Sequence, residues 1–242
     1  MGKVLAVAYA VVCYVAFFGT FLYAIGFVDG LLVPKHVDSG EPGPLIPTLL
    51  INGVLLAVFA VQHSLMARPA FKAWWTRFVP KPVERATYVL AASLALMLLF
   101  WQWRPLPQPV WAFTGLTADL LWGLNALGWA TVLTSTFLIN HFELFGLRQV
   151  WAHATGKPIP PARFHTPLYY RAVRHPIYLG FAIAFWAAPV MSLGHLIFAI
   201  GATGYILVGI WFEERDLVAA FGDTYRAYQK RVSMLLPWLP RA

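Results

Sequence analysis

Long apolar runs alternate with short polar segments along almost the whole chain, and this pattern predicts membrane-spanning helices. Four such runs cover residues 4–28, 45–66, 87–103 and about 120–139. About 20 helical residues cross a bilayer core of about 30 Å, so each run approaches or exceeds one crossing. The first run is longer than the apolar core of a signal peptide, and we interpret it as a retained anchor.

A fifth apolar run, residues 177–212, carries no Asp, Glu, Lys or Arg. It is too long for one crossing, and the stretch from Pro189 to Gly194 interrupts its helical pattern. The run therefore predicts a helical hairpin with halves at 177–188 and 195–212. An amphipathic C-terminal helix follows, because apolar residues recur there at helical spacing: Leu217, Phe221, Tyr225, Tyr228 and Val232. The fold class is an all-α polytopic integral membrane helical bundle with five to six transmembrane segments.

Composition excludes several classes of protein. Hydrophobic residues make up 60% of the chain and charged residues 12%, against roughly 25% charged in average soluble proteins. A soluble enzyme and a disordered chain are therefore excluded. The single cysteine, Cys13, excludes a disulfide framework and a cysteine-based zinc site, and we expect no metal. The basic residues are dispersed through loops, which indicates membrane orientation rather than nucleic-acid binding.

Loop charges predict the orientation of the spans. Residues 29–44 carry one base and three acids, whereas residues 67–86 and 140–176 each carry five bases and one acid. Residues 104–118 carry only Arg104. Because positive loops face the cytoplasm, both termini, residues 67–86 and residues 140–176 are expected there.

Polar side chains collect where this orientation places the cytoplasmic mouth of the bundle. The second and fourth spans end there, and the hairpin begins and ends there, with ionisable or hydroxyl groups: His63, Ser64, His141, Glu143, Arg174, His175, Glu213 and Glu214. Ionisable groups near membrane depth are costly and favour a functional interpretation. For any one of them, a helix end at the headgroup layer is an equally good explanation.

The strongest local pattern is residues 174–180, which read RHPIYLG. Pro176 suits the first position of a helix. Arg174 and His175 would then lie at a helix N-terminus, which attracts anions, and a guanidinium can form two hydrogen bonds to a carboxylate. An ordinary interfacial Arg-His pair remains an alternative. The adjacent carboxylates Glu213 and Glu214 need counter-charges at a membrane boundary.

These patterns together resemble a known family. Residues 170–176 (YRAVRHP) with Tyr178 and Gly180, then the Glu213-Glu214 pair and the residues Phe221, Gly222, Tyr225, Tyr228 and Pro237, resemble the signature of membrane methyltransferases related to isoprenylcysteine carboxyl methyltransferase. Upstream, residues 62–69 (QHSLMARP) and 141–149 (HFELFGLRQ) look like the methanethiol S-methyltransferase branch. The first of these two stretches is also similar to NnrU-type membrane proteins.

The resemblance implies S-adenosylmethionine bound at the cytoplasmic side of a bacterial inner (plasma) membrane. Arg174 and the helix start at His175 suit its carboxylate, and Glu213 and Glu214 suit its ammonium and ribose hydroxyls. Tyr178 would line the pocket, and Gly180 would permit close backbone approach. We expect one membrane domain, 1–242, with N-terminal transmembrane helices in 1–140 and the cofactor-binding loop, hairpin and C-terminal helix in 141–242.

The expected reaction moves a methyl group to a small thiol, most simply methanethiol to dimethyl sulfide. His141 is the candidate proton acceptor, and on a helix continuing from the fourth span Arg148 would share its face and favour the thiolate. The expected partners are the thiol and the lipid bilayer, with no nucleic acid or obligate protein partner. A prenylcysteine carboxylate or a phospholipid amine is an alternative acceptor, and a haem protein using His63 and His141 is an alternative of another class.

Overall fold

The structure, a computed structural model, describes residues 2–161 and 163–237. Met1, Ala162 and residues 238–242 lie outside the described residues. In chain order the helices are α1 (Lys3–Asp29), α2 (Leu45–Ala67), α3 (Pro69–Trp75), α4 (Glu84–Gln102), α5 (Gly115–Ile139), α6 (His141–Leu144), α7 (Leu147–Thr155), α8 (Pro176–Trp186), α9 (Leu193–Phe221) and α10 (Asp223–Arg231). The strands are β1 (Pro109–Ala112) and β2 (Val190–Ser192).

Within the described residues, four helical segments are long and apolar enough to cross a membrane. They are Lys3–Asp29, Leu45–Ala67, Lys81–Gln102 and Leu193–Phe221. Of the other predicted spans, α5 has 25 residues but carries Asn125 and several threonines. The short helix α8 has 11 residues and rises only about 16 Å, about half of a bilayer core. The predicted polytopic helical bundle is confirmed.

The chain forms two compact units that interleave along the sequence. The first lies within Met1–Pro107 and Asn140–Pro160, and the second lies within Gln108–Ile139 and Pro161–Ala242. Helix α5 therefore belongs to the second unit, although helices of the first unit precede and follow it. The single membrane domain 1–242, with parts 1–140 and 141–242, stays a prediction.

In the first unit, α1 packs closely on α4 and α7 through small side chains. Ala6, Ala10 and Cys13 of α1 are each at most 1% exposed and form a buried cluster with Ala86 and Val150. Small residues let helix backbones approach closely, which is how helices in a bilayer gain packing contacts.

In the second unit, α5 and α8 pack through two facing glycines. A Cβ atom on Gly180 would lie 2.7 Å from the carbonyl oxygen of Gly128, and one on Gly128 would lie 2.8 Å from that of Gly180. Asn125 adds a hydrogen bond of 2.9 Å from its side-chain amide to the carbonyl of Ala184. Any side chain at either glycine would force these helices apart.

The predicted hairpin is present, and its turn contains a feature that the sequence did not predict. The helices α8 and α9 are separated by β2, which pairs antiparallel with β1. This small sheet is the departure from an all-α chain. Its pairing continues beyond the strands, because the amide of Phe113 donates to the carbonyl of Pro189 at 2.9 Å.

Two predicted helices prove to be interrupted. The amphipathic segment from Leu217 to Val232 is divided at Gly222, whose φ of 56° and ψ of −129° strain any residue that has a side chain. The predicted continuation of α5 through Arg148 is wrong, because Asn140 ends that helix and Gly146 separates α6 from α7.

Candidate functional site

The candidate site of the second unit is built around the start of α8. Pro176 occupies the first turn of this helix and His175 precedes it, as the sequence predicted. The backbone before the helix is held alongside residues 233–234. The amide of Arg174 donates to Ser233 at 2.9 Å, and the amide of His175 donates to Met234 at 3.2 Å. The segment after α10 therefore fixes where both side chains lie.

Arg174 forms a buried ion pair with Glu214. Its Nε donates to Oε1 of Glu214 at 2.6 Å, and its side chain is only 2% exposed. Its Nη1 donates to the backbone carbonyls of Gln229 and Val232. The carboxylate that Arg174 contacts in this structure is that of Glu214, and the predicted contact with a cofactor carboxylate stays a prediction.

His175 lies between the two adjacent carboxylates of α9. Its Nε2 lies 3.0 Å from Oε1 of Glu214, and its Nδ1 lies 3.8 Å from Oε2 of Glu213. The two carboxylates differ in access, since the Glu213 side chain is 44% exposed and that of Glu214 is 17% exposed. Glu213 is thus the carboxylate that a ligand can reach.

Two residues of α10 complete the network around Glu214. Gln229 donates its side-chain amide to Oε2 of Glu214 at 2.9 Å, and the Tyr225 hydroxyl donates to Oε1 at 3.4 Å. The sequence analysis assigned Tyr225 to an apolar stripe and to the family signature, without a contact to Glu214, and missed Gln229. A spacing of four residues places both on one face of the helix, which was the available signal.

A cluster of aromatic side chains, Phe164, Tyr225 and Tyr228, packs together beside this network. Phe164 contacts the rings of Tyr225 and Tyr228, with centroids 5.9 Å and 5.3 Å apart. Burial raises the pKa of Tyr225, and it raises the pKa of Tyr228 to about 12. Both phenols therefore stay protonated at neutral pH and act as hydrogen-bond donors.

Tyr178 and Gly180 have different positions on α8. Tyr178 is partly exposed, and its ring centroid lies 5.7 Å from that of His175. Its hydroxyl would lie 3.7 Å from a Cβ atom at Gly209 on α9. Gly180 faces α5, as described above, and its predicted role in the approach of a cofactor stays a prediction.

The two residues predicted to act on the thiol, His141 and Arg148, belong to the first unit. His141 is 3% exposed, and its Nε2 lies 2.8 Å from the Tyr14 hydroxyl. The Phe145 ring is 4.8 Å from the imidazole, centroid to centroid. Burial lowers the pKa of His141, so the imidazole is neutral at pH 7.

Arg148 pairs with Glu143 and not with His141. Its Nη1 lies 2.6 Å from Oε2 of Glu143, and each side chain is 36% exposed. Asn140 donates to the same carboxylate oxygen at 2.6 Å. The sequence analysis expected Arg148 to favour the thiolate from the same helix face as His141. In the structure α6 and α7 are separate helices, and the negative charge of Glu143 offsets the positive charge of Arg148.

His63 has an arrangement similar to that of His141. The hydroxyl of Tyr88 lies 2.9 Å from its Nε2, and the Arg85 guanidinium lies over the Tyr88 ring at 5.0 Å. Across residues 2–161 and 163–237, no group of three or more His, Cys, Asp or Glu side chains could hold a metal ion.

Comparison with curated proteins finds relatives along nearly the whole chain. A protein named methanethiol S-methyltransferase 1 from Bradyrhizobium diazoefficiens is 59% identical over 237 residues, covering 98% of this chain and 83% of the relative. Methanethiol S-methyltransferase from Mycobacterium tuberculosis is 58% identical over 239 residues, covering 98% of each. Nurim from Sus scrofa is 31% identical over 185 residues, covering 72% of this chain and 69% of that protein. No protein-family profile matches the chain, and no solved structure matches it.

Proposed function

Since the chain belongs to the methanethiol S-methyltransferase family, we propose that it transfers the methyl group of S-adenosylmethionine to methanethiol, releasing dimethyl sulfide. The single observation that carries the proposal is identity of 58% over 98% of both chains to a relative named for this activity. The meeting of Arg174 and His175 with Glu213 and Glu214 supports a binding site in the second unit.

The residues at this site fit the chemistry of S-adenosylmethionine. Glu213 offers a half-exposed carboxylate to an ammonium or to ribose hydroxyls. The start of α8 offers the positive end of a helix dipole to the methionine carboxylate. Tyr178 presents a partly exposed ring beside His175. Bound there, the cofactor would supply a methyl group activated on a sulfonium.

The four polar residues then have separate tasks. Glu213 contacts the ligand directly. Arg174 is a positioning residue, because it neutralises and holds Glu214, which in turn holds His175 through a 3.0 Å contact. His175 then keeps its imidazole within 3.8 Å of Glu213. This chain of contacts fixes the binding carboxylate relative to the start of α8.

The acceptor must lose a proton, because the thiolate is the nucleophile and not the thiol. We assign this proton to His141, whose neutral imidazole can accept it. Arg148 acts together with Glu143 as a neutral pair, so its contribution is smaller than that of His141. In-line displacement at a sulfonium methyl group depends mainly on positioning, and the proton acceptor adds to that effect.

Binding and transfer assays with the purified protein test the proposal. S-adenosylmethionine should bind in detergent by calorimetry, and the labelled methyl group should appear in dimethyl sulfide when methanethiol is supplied. A prenylcysteine carboxylate and a phospholipid amine serve as competing acceptors. Transfer to either of these but not to methanethiol would overturn the acceptor assignment, and absence of cofactor binding would overturn the whole proposal.

The proposal places both termini, residues 67–86, residues 140–176 and the start of α8 at the cytoplasmic face of a bacterial inner membrane. The charges of the loops support it, since residues 29–44 are acidic and the two long loops are basic. The named relatives in Bradyrhizobium and Mycobacterium are bacterial.

Cysteine labelling in intact cells tests this orientation. Glu41→Cys places a thiol at an exposed position of the loop 29–44, and Lys157→Cys does so in the loop 140–176. The native Cys13 is 0% exposed and gives little background. A membrane-impermeant maleimide should label Glu41→Cys in intact cells and Lys157→Cys only after lysis. Labelling of Lys157→Cys from outside would contradict the orientation.

A further inference from the structure

Tyr170 lies beside the candidate binding site but was not among the residues predicted to form it. It belongs to the one-turn 3-10 helix Leu168–Arg171, just before Arg174. Its backbone carbonyl accepts a hydrogen bond of 2.5 Å from the Tyr228 hydroxyl, and Tyr228 is 4% exposed. The position of Tyr170 is therefore fixed by α10.

The hydroxyl of Tyr170 differs from its neighbours in having no partner. Its oxygen is buried, and no described residue makes a hydrogen bond to it. The two phenols of the aromatic cluster are paired, since Tyr225 donates to Glu214 and Tyr228 donates to Tyr170. Burying a hydroxyl without a partner costs free energy, and folded proteins rarely retain such a group without a reason.

The charge around this hydroxyl indicates what it can do. Burial, and then the negative charge of Glu213, raise the pKa of Tyr170. The phenol therefore stays protonated and keeps a proton to donate. No hydrogen bond joins the Tyr170 hydroxyl to Glu213 or to any other described residue. The geometric link between this donor and the site is α10, which holds Tyr170 through Tyr228 and also holds Glu214, the neighbour of Glu213.

We propose that Tyr170 is a ligand-binding residue whose hydroxyl donates a hydrogen bond to an oxygen of the methyl donor. The inference rests on the function proposed above and adds a residue to its site. Glu213 accepts hydrogen bonds from the cofactor, whereas Tyr170 supplies the complementary donor for a carboxylate or ribose oxygen. The bound cofactor then satisfies a group that the protein alone leaves unpaired.

The substitution Tyr170→Phe separates this role from a structural one. Without ligand, the variant should unfold at the same temperature as the wild type or higher, because it loses a buried group that had no partner. Its affinity for S-adenosylmethionine should fall roughly 2- to 10-fold if the acceptor is a ribose oxygen, and roughly 10- to 100-fold if it is the carboxylate. Decarboxylated S-adenosylmethionine distinguishes the two acceptors. If Tyr170 donates to the carboxylate, the wild type and Tyr170→Phe should bind this probe with equal affinity; if it donates to a ribose oxygen, the variant should still bind it more weakly.

Two matched variants serve as controls. Tyr228→Phe removes the hydroxyl that donates to Tyr170, so its unfolding temperature should fall. Tyr169→Phe changes the neighbouring phenol, which is 40% exposed, and should alter neither property. If Tyr170→Phe and the wild type bind S-adenosylmethionine with the same affinity, the inference about Tyr170 is overturned and the proposed function stands. If the wild type itself binds no S-adenosylmethionine, the proposed function fails and this inference fails with it.

Discussion

Glu214→Ala should destabilise the protein by about 3–5 kcal/mol, because the change leaves a buried charge unpaired. The Arg174 side chain is 2% exposed and its Nε loses the partner at 2.6 Å. His175, Gln229 and Tyr225 lose the same acceptor. Denaturant unfolding in a mild detergent measures the free energy, and methyl transfer should be lost in parallel.

The adjacent carboxylate provides the control for this experiment. Glu213 is 44% exposed and makes one long contact of 3.8 Å, so Glu213→Ala should change stability by at most about 1 kcal/mol. It should nevertheless weaken binding of S-adenosylmethionine. Equal stability of Glu214→Ala and Glu213→Ala would show that the buried ion pair does not hold the second unit together.

His141→Ala should lower the rate of methyl transfer at pH 7 by about 10²- to 10⁴-fold, the usual contribution of a positioned base. Burial holds the pKa of His141 below its usual 6.5. The wild-type rate should therefore fall only when the pH drops below the lowered pKa of His141, where the imidazole becomes protonated. In the variant, the rate should recover as the pH rises toward the pKa of the thiol, because thiolate then forms in solution. The pH–rate profile at saturating cofactor measures both effects.

Two further variants show whether the effect belongs to His141 itself. Tyr14→Phe removes the hydroxyl 2.8 Å from Nε2 and should cause a smaller loss. His153→Ala changes an exposed histidine on α7 and should leave the profile unchanged. If His141→Ala keeps the wild-type rate and profile, the sulfonium charge and the apolar surroundings suffice without a base.

The sequence predicted the helices well because apolar runs of membrane length have few alternatives. It also predicted the hairpin and placed Pro176 at the start of α8. It did not predict the sheet, since β1 and β2 are only four and three residues long and their pairing joins segments about 80 residues apart. Such pairing depends on tertiary structure, which local periodicity does not report.

The candidate site was predicted as a set of residues but not as a set of contacts. Sequence spacing could not distinguish a guanidinium that faces a ligand from one that faces Glu214, because both arrangements require the same residue types. Sequence spacing likewise did not show that Gly180 lies against Gly128 and Val132 of α5. At Gly222 and Gly146, periodicity continued through residues whose backbone ends a helix.

The interleaving of the two units has a consequence for biosynthesis. A ribosome completes α1 long before it makes α6 and α7, the parts of the first unit that lie beyond α5. The Tyr14–His141 contact joins positions 127 residues apart, a delay of about 6–25 s at typical elongation rates. During that interval α5, a helix of the second unit, has already been made and waits for α8. The first unit can therefore be completed before the second, whose α5 is made early and whose α8, α9 and α10 are made last.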